Sequence, residues 1–269
     1  MRDPDEVQIL MTTPEWFQII STILIGTCIG SFLNVVIVRL PRGRSIVSPG
    51  SRTFPWRSSI PAYQNIPVLS YLLNFGRDRK SGWFYSIRYL VIEILTPTIF
   101  LALYFTHGWS MTALVYALVC SCLIAASFID LDLRIIPDSL TIGVWFVAIL
   151  AAAFEAKGYP LDFQSAVFGS IIGYGSFWLL SRSYYWITGE DGLGGADVKL
   201  MGFIGAVVGW KGVIVTVLVA SLSGALVGLF LMMVYRKGRR FPIPFGPFLA
   251  AGAMVSIFRI DVIDWLLLS

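Results

Sequence analysis

Long apolar stretches separated by short polar links make up most of this 269-residue sequence. The first stretch runs from about residue 16 to residue 38, and a membrane-spanning helix needs roughly 20 such residues. After one extended polar loop, further stretches follow at 89–105, 111–129, 140–154, 163–181, 198–208, 213–235 and 245–258. The pattern predicts an all-α integral membrane protein with about eight transmembrane helices and a small irregular cytoplasmic domain between helices 1 and 2.

The polar loop divides the chain into three predicted parts: an N-terminal segment with the first helix (1–38), the loop (39–88), and a seven-helix membrane domain (89–269). Five prolines break regular structure in the loop, and nine of its residues are basic while Asp78 is its one acid. A segment of about fifty residues is near the lower limit for folding alone. We therefore expect this loop to rest on the membrane surface or on the helices.

Composition and charge agree with a membrane protein and predict its orientation. Hydrophobic residues make up 57% of the chain and charged residues 13%, whereas a soluble domain is about 45–50% apolar. If residues 39–88 face the cytoplasm, 16 of the 20 basic residues fall on that side, which is the distribution that the positive-inside rule describes. In this orientation both chain ends lie on the outer, periplasmic side of the membrane.

Two clusters of acids, at 130–138 and 190–197, border apolar stretches and fall on the cytoplasmic face in this orientation. An ionisable group at membrane depth is costly and marks a functional site. A Ser-His-Asp site is not indicated, because His107 is the only histidine and is predicted on the opposite face. HExxH and GxSxG motifs do not occur. A pair of carboxylates remains, and such a pair can hold one shared proton and hydrolyse a peptide by acid–base catalysis.

Asp130 and Asp197 are the two acids that we select for this pair. Asp130 directly follows an apolar stretch, and Asp197 follows a glycine-rich link and begins the next stretch. Asp138 is predicted to cap the fourth helix, and Glu190 and Asp191 are expected to be solvated. From the residues alone three interpretations stay open: a catalytic pair, helix capping with interfacial charge, and the coupling site of a transporter.

Six stretches, spread in order over nearly the whole chain, resemble motifs of the type IV prepilin peptidase family, also called leader peptidase/N-methyltransferase. They are 30–41 (GSFLNVVIVRLP), 65–72 (NIPVLSYL), 86–93 (SIRYLVIE), 130–138 (DLDLRIIPD), 192–199 (GLGGADVK) and 244–248 (PFGPF). The fifth is similar to the GxGD motif that carries the family's second aspartate, with Ala196 where glycine is commoner. Six motifs in order make the resemblance specific.

The resemblance implies an inner-membrane aspartic endopeptidase with Asp130 and Asp197 as its catalytic pair. Its substrates would be type IV prepilins or the pseudopilins of type II secretion, whose short basic leaders are cut after a glycine at the cytoplasmic face. Besides the pair, the motifs suggest residues that support it or bind substrate, namely Asn34, Asp138, Gly194, Gly195 and Lys199.

Many members of this family also methylate the new N-terminus with S-adenosylmethionine. The resemblance implies that this cofactor can serve here as well. The methyl-transfer region would include Asn65, Pro67, Gly76, Arg88 and Glu93. The expected partners are the lipid bilayer and the prepilin or pseudopilin substrates, and no nucleic-acid partner is expected.

One departure from the family pattern concerns zinc. Many members carry two CxxC pairs in the first loop, and the matching positions here are Thr53, Trp56, Asp78 and Ser81. These positions offer no thiolate, and the three cysteines of the chain lie elsewhere without CxxC spacing. We therefore predict no zinc site.

Two rival functions are a carboxylate-dependent transporter and a membrane methyltransferase without peptidase activity. Transporters often carry internal repeats and broken helices near the substrate site, and this sequence shows no convincing repeat. Cleavage of a prepilin by the purified protein would separate the peptidase from both rivals.

Overall fold

A computed structural model of the protein describes residues 13–47, 87–155, 157–190, 192–235 and 244–258. Across these ranges the regular secondary structure is helical, and they contain no strand. Two short 3₁₀ turns occur, at Leu40–Arg42 and Asp138–Leu140. The α-helices are α1 (Glu15–Arg39), α2 (Ile87–His107), α3 (Met111–Leu133), α4 (Ile142–Ala153), α5 (Phe163–Thr188), α6 (Gly195–Tyr235) and α7 (Gly246–Phe258).

Five of these helices, α1, α2, α3, α5 and α6, are long and apolar enough to cross a bilayer. Helices α4 and α7 are apolar but have only 12 and 13 residues. Over the described residues, the prediction of an all-helical fold is confirmed, and the five apolar helices are consistent with an integral membrane protein. The number of about eight spans stays a prediction, and most of the predicted cytoplasmic domain, residues 48–86, lies outside the described residues.

The stretches predicted as the sixth and seventh spans lie in α6, which consists of two helical segments joined at a kink. Within it, Gly209 has φ 68° and ψ 178°, which is not a helical conformation. Glycine adopts a positive φ without the steric cost that a side chain brings. The link expected at 209–212 is therefore a break at one residue, because helical backbone resumes directly after it.

The described residues divide into two compact units at Ser121, within α3. In the first unit, α1 packs closely on α2. A Cβ built on Gly26 would lie 2.6 Å from Cα of Pro97, and one on Gly30 would lie 3.1 Å from Cα of Glu93. Two glycines one turn apart on α1 therefore allow a close contact with α2. Asn34, on the same helix, donates from Nδ2 to the carbonyl oxygen of Tyr89 at 3.3 Å, as expected for a polar residue inside an apolar stretch.

In the second unit, the closest helix contact joins α5 to α6. Gly169 and Gly205 face each other so tightly that a Cβ on either one would collide with the carbonyl oxygen of the other. One turn along α5, a Cβ on Gly173 would collide with the carbonyl oxygen of Met201. Lipid gives apolar helices little reason to associate, so close backbone packing of this kind supplies the cohesion.

Both ends of α5 are determined by identifiable residues. At its start, the Asp162 carboxylate accepts the backbone N–H of Ser165 at 3.4 Å, and hydrogen bonding by Ser165 lowers the pKa of Asp162. At its end, Gly189 has φ 72° and stops the helix in the left-handed conformation that suits glycine. The chain then passes through the short glycine-rich link to α6.

The contact between Gly169 and Gly205 predicts a position-specific loss of stability. Gly169→Ala is expected to lower the free energy of unfolding by about 1–3 kcal/mol, the cost of forcing extra volume into a packed interface. Gly175→Ala is the matched control on the same helix, because a Cβ there meets no atom within 4 Å. Thermal unfolding of the detergent-solubilised variants measures the difference. Equal melting temperatures for the two variants would show that the contact is not tight.

Candidate active site

Asp130 lies three residues before the end of α3 and is buried. Its side chain is 6% exposed, whereas Asp132, two residues further along the same helix, is exposed. This is the separation expected from a helix that continues past Asp130. Arg134 then ends the helix with φ 55° and donates its backbone N–H to the carbonyl oxygen of Asp130 at 2.8 Å. The side chain of Asp130 therefore faces the protein and not the surrounding solvent or lipid.

A backbone amide from the far end of the chain meets the Asp130 carboxylate. The N–H of Gly246 donates to Oδ2 of Asp130 at 2.9 Å, in a buried contact. Gly246 is the first residue of α7, and a Cβ at this position would lie only 2.7 Å from the same oxygen. Sequence reasoning noted the 244–248 motif but gave Gly246 no role. Its place between two prolines at the start of an apolar stretch was the available signal.

Asp197 lies in the first turn of α6 and is partly buried. The glycine-rich link brings the chain close to its side chain, since a Cβ on Gly194 would lie 3.3 Å from Oδ2 of Asp197. The backbone N–H of Asp197 donates to the carbonyl oxygen of Gly194 at 3.0 Å. The carboxyl group of Asp197 interacts electrostatically with Asp130. The two acids selected from the sequence are thus neighbours in the second unit.

An ion pair joins the two acid clusters at a second point. Lys199 Nζ lies 2.7 Å from Oδ1 of Asp138, so the 3₁₀ turn after α3 is tied to the first turn of α6. The prediction that Asp138 caps the fourth helix is wrong. Asp138 begins a 3₁₀ turn, and the residue that precedes α4 is Thr141, which makes no side-chain capping hydrogen bond.

Comparison with known proteins identifies the family of this chain. A family model described as "Type IV leader peptidase family" matches residues 117–229, and one described as "Bacterial Peptidase A24 N-terminal domain" matches residues 24–107. A prepilin leader peptidase/N-methyltransferase of Neisseria gonorrhoeae is 36% identical over 266 residues, which cover 90% of each chain. The chain belongs to the type IV leader peptidase family.

Other relatives show the same extent of similarity. Prepilin leader peptidase/N-methyltransferases of Pseudomonas putida and Aeromonas hydrophila are 31% and 34% identical. The matches cover 94% of both chains for the first, and 92% of this chain and 93% of the relative for the second. No solved structure matches the chain.

The remaining residues suggested for this leader peptidase family member are only partly described. Gly195 begins α6, and a Cβ there meets no atom within 4 Å. Arg88 and Glu93 lie in the first two turns of α2, and the guanidinium of Arg88 lies 5.6 Å from the ring centre of Tyr89. Asn65, Pro67 and Gly76 lie outside the described residues.

Of the five residues suggested for methyl transfer with S-adenosylmethionine, the structure describes Arg88 and Glu93. The four positions that match the family's CxxC pairs also lie outside the described residues. Among the residues that are described, no group of three or more histidines, cysteines, aspartates or glutamates could hold a metal ion. The prediction of no zinc site stays a prediction.

The ion pair between Asp138 and Lys199 predicts a charge-reversal result. Asp138→Lys and Lys199→Asp each place like charges together and are expected to lower stability, whereas the double reversal restores the attraction. Both side chains are partly solvated, so the coupling free energy should be at most about 1 kcal/mol and should shrink in high salt. A double-mutant cycle of thermal unfolding at two salt concentrations measures it. If the stability changes of the two single variants simply add in the double variant, the two side chains do not form the ion pair.

Proposed function

We propose that this protein is an aspartic endopeptidase that removes the short basic leader from type IV prepilins or pseudopilins. The observation that carries the proposal is the pairing of Asp130 with Asp197 inside a chain of the type IV leader peptidase family. Each acid lies in a terminal turn of an apolar helix. Cleavage after a glycine follows from the family resemblance.

Hydrolysis by this pair begins with one proton shared between the two acids. The oxygen of a water molecule bonds to the scissile carbonyl carbon while one water proton passes to the ionised acid and the protonated acid gives its proton to the carbonyl oxygen. In the second step, the first acid passes its proton to the leaving nitrogen as the C–N bond breaks. A hydroxyl of the intermediate returns a proton to the second acid. The pair ends with one proton, as it began.

The proposed location is the inner membrane, with the active site at the cytoplasmic face. The charge distribution supports this orientation, because the basic loop and the turns near both aspartates then share one side. Arg134 follows α3, and Lys199 lies in the first turn of α6. Both chain ends then lie on the periplasmic side.

Replacing either aspartate tests the proposed catalytic pair. Asp130→Asn and Asp197→Asn should each lower the rate of leader cleavage by about 10²- to 10⁴-fold, the usual contribution of a general acid or base. Asp132→Asn is the matched control, because Asp132 is exposed two residues further along α3, and its rate should stay within about twofold of wild type. The assay is cleavage of a purified prepilin by the purified variants. Near-normal cleavage by either of the first two variants would rule out this pair.

We propose as a second activity the S-adenosylmethionine-dependent methylation of the new N-terminus. The names of the relatives from Neisseria, Pseudomonas and Aeromonas include N-methyltransferase, and the match extends through the N-terminal family domain at residues 24–107. Arg88 and Glu93 belong to the first compact unit, whereas both aspartates belong to the second. Methylation should therefore not need the catalytic pair.

A variant that cannot cut tests this separation. Asp197→Asn, incubated with labelled S-adenosylmethionine and a pilin that already lacks its leader, should transfer the label at a rate within about twofold of wild type. The same variant should leave the uncut prepilin unlabelled, because its mature N-terminus is not yet free. Transfer is measured by mass spectrometry of the N-terminal peptide. If the wild-type protein does not label the pre-cleaved pilin, the proposed methyltransferase activity is wrong and only the peptidase proposal remains.

A further inference from the structure

The Gly246 contact makes the surroundings of the two aspartates unequal. Oδ2 of Asp130 accepts a buried hydrogen bond from the Gly246 N–H. Gly246 is the first residue of α7, so its N–H has no acceptor within its own helix and is available to the carboxylate. Asp197 is partly buried, and its carboxyl group interacts with the neighbouring Asp130 carboxylate.

This difference bears on which acid accepts a proton from water. A backbone N–H bonds more strongly to an ionised carboxylate than to a neutral acid, and the start of a helix carries a partial positive charge that attracts an anion. Arg134, one turn after Asp130, also interacts electrostatically with it. Each of these groups favours negative charge on Asp130.

The lack of a side chain at position 246 fits the same role. A Cβ there would lie 2.7 Å from Oδ2 and 3.3 Å from the carboxyl carbon of Asp130. Any side chain would therefore push the carboxylate away from the amide or α7 away from α3. Glycine allows the donor and the acceptor to reach hydrogen-bonding distance within a buried contact.

We propose that Gly246 is a positioning residue for the cleavage reaction, whose N–H holds Asp130 as the acid that accepts the proton of the attacking water. Asp197 is then the acid that donates a proton to the substrate carbonyl. This inference rests on the proposed peptidase function and assigns the two roles that the pair alone leaves interchangeable. The substrate itself touches neither the amide nor the first turn of α7 in this proposal.

Two substitutions at position 246 disrupt the hydrogen bond in different ways. Gly246→Ala keeps the N–H but adds a Cβ that forces the carboxylate away from it, whereas Gly246→Pro removes the N–H and places the ring Cδ where the hydrogen was. Proline is accepted at the first position of a helix, so α7 can still form. The control is Gly224→Ala, whose Cβ would make ordinary contacts of 3.5 Å or more with the rings of Phe245 and Phe248 on either side of Gly246.

The assay measures kcat and KM for a purified prepilin together with the melting temperature of each variant. Gly246→Ala and Gly246→Pro should each lower kcat at least about tenfold, within the 10- to 100-fold or so expected for losing a hydrogen bond to a charged group, and the loss should be at least as large for Gly246→Pro. The KM should change less than about twofold for both, because ground-state binding is not affected. The Gly224→Ala variant should cleave like wild type.

Several outcomes would overturn the inference. A Gly246→Pro variant with near-normal kcat would show that the N–H has no role. A Gly246→Ala variant with near-normal kcat would show that Asp130 is not held there. Loss of kcat in proportion to a lower melting temperature, shared by Gly224→Ala, would indicate general loosening of the packing. If the wild-type protein does not cut a prepilin, the proposed function fails, whereas wild-type cleavage with any of these results overturns only the role of Gly246.

Discussion

A carboxylate buried among apolar helices must be given a hydrogen-bond donor or a counter-charge, since an uncompensated buried charge is strongly destabilising. Asp130 is 6% exposed and receives its donor from the first residue of α7. The start of one helix is therefore fixed against the last turn of another. In the second compact unit, this requirement links the packing of the helices directly to the arrangement of the active site.

The packing of α5 on α6 acts together with that constraint. The backbone contact between Gly169 and Gly205 sets how far the two helices can slide along each other. Trp145 of α4 adds to this, because its ring covers Gly202 of α6 and its indole N–H donates to Ser170 of α5 at 2.9 Å. Asp197 lies two turns before Gly205 on the same helix. Fixing the position of α6 along α5 therefore also fixes the position of Asp197 along the helix axis.

The sequence was most informative where one physical signal dominates. Long apolar stretches predicted the helices to within a few residues, and two acids at the ends of such stretches predicted the pair. The role of Gly246 could not be predicted, because the contact joins residues 116 positions apart and exists only once α7 is packed. The error at Asp138 has a similar origin. A capping preference is read from neighbouring residues, whereas Asp138 forms an ion pair with Lys199, which lies 61 residues away in the sequence. The break at Gly209, by contrast, falls within the link that the sequence predicted at 209–212.

The glycine contact between α5 and α6 also determines which positions of this protein can be substituted without loss of stability. Side chains such as Leu218, Leu222 and Phe230 point outward from α6, with 55–66% of their surface exposed, and any apolar replacement leaves them equally compatible with acyl chains. Gly169 and Gly205 permit no such exchange. Adaptation to a thicker or more fluid membrane can therefore proceed by substitution of the outward-facing side chains, while the spacing between α5 and α6 stays the same.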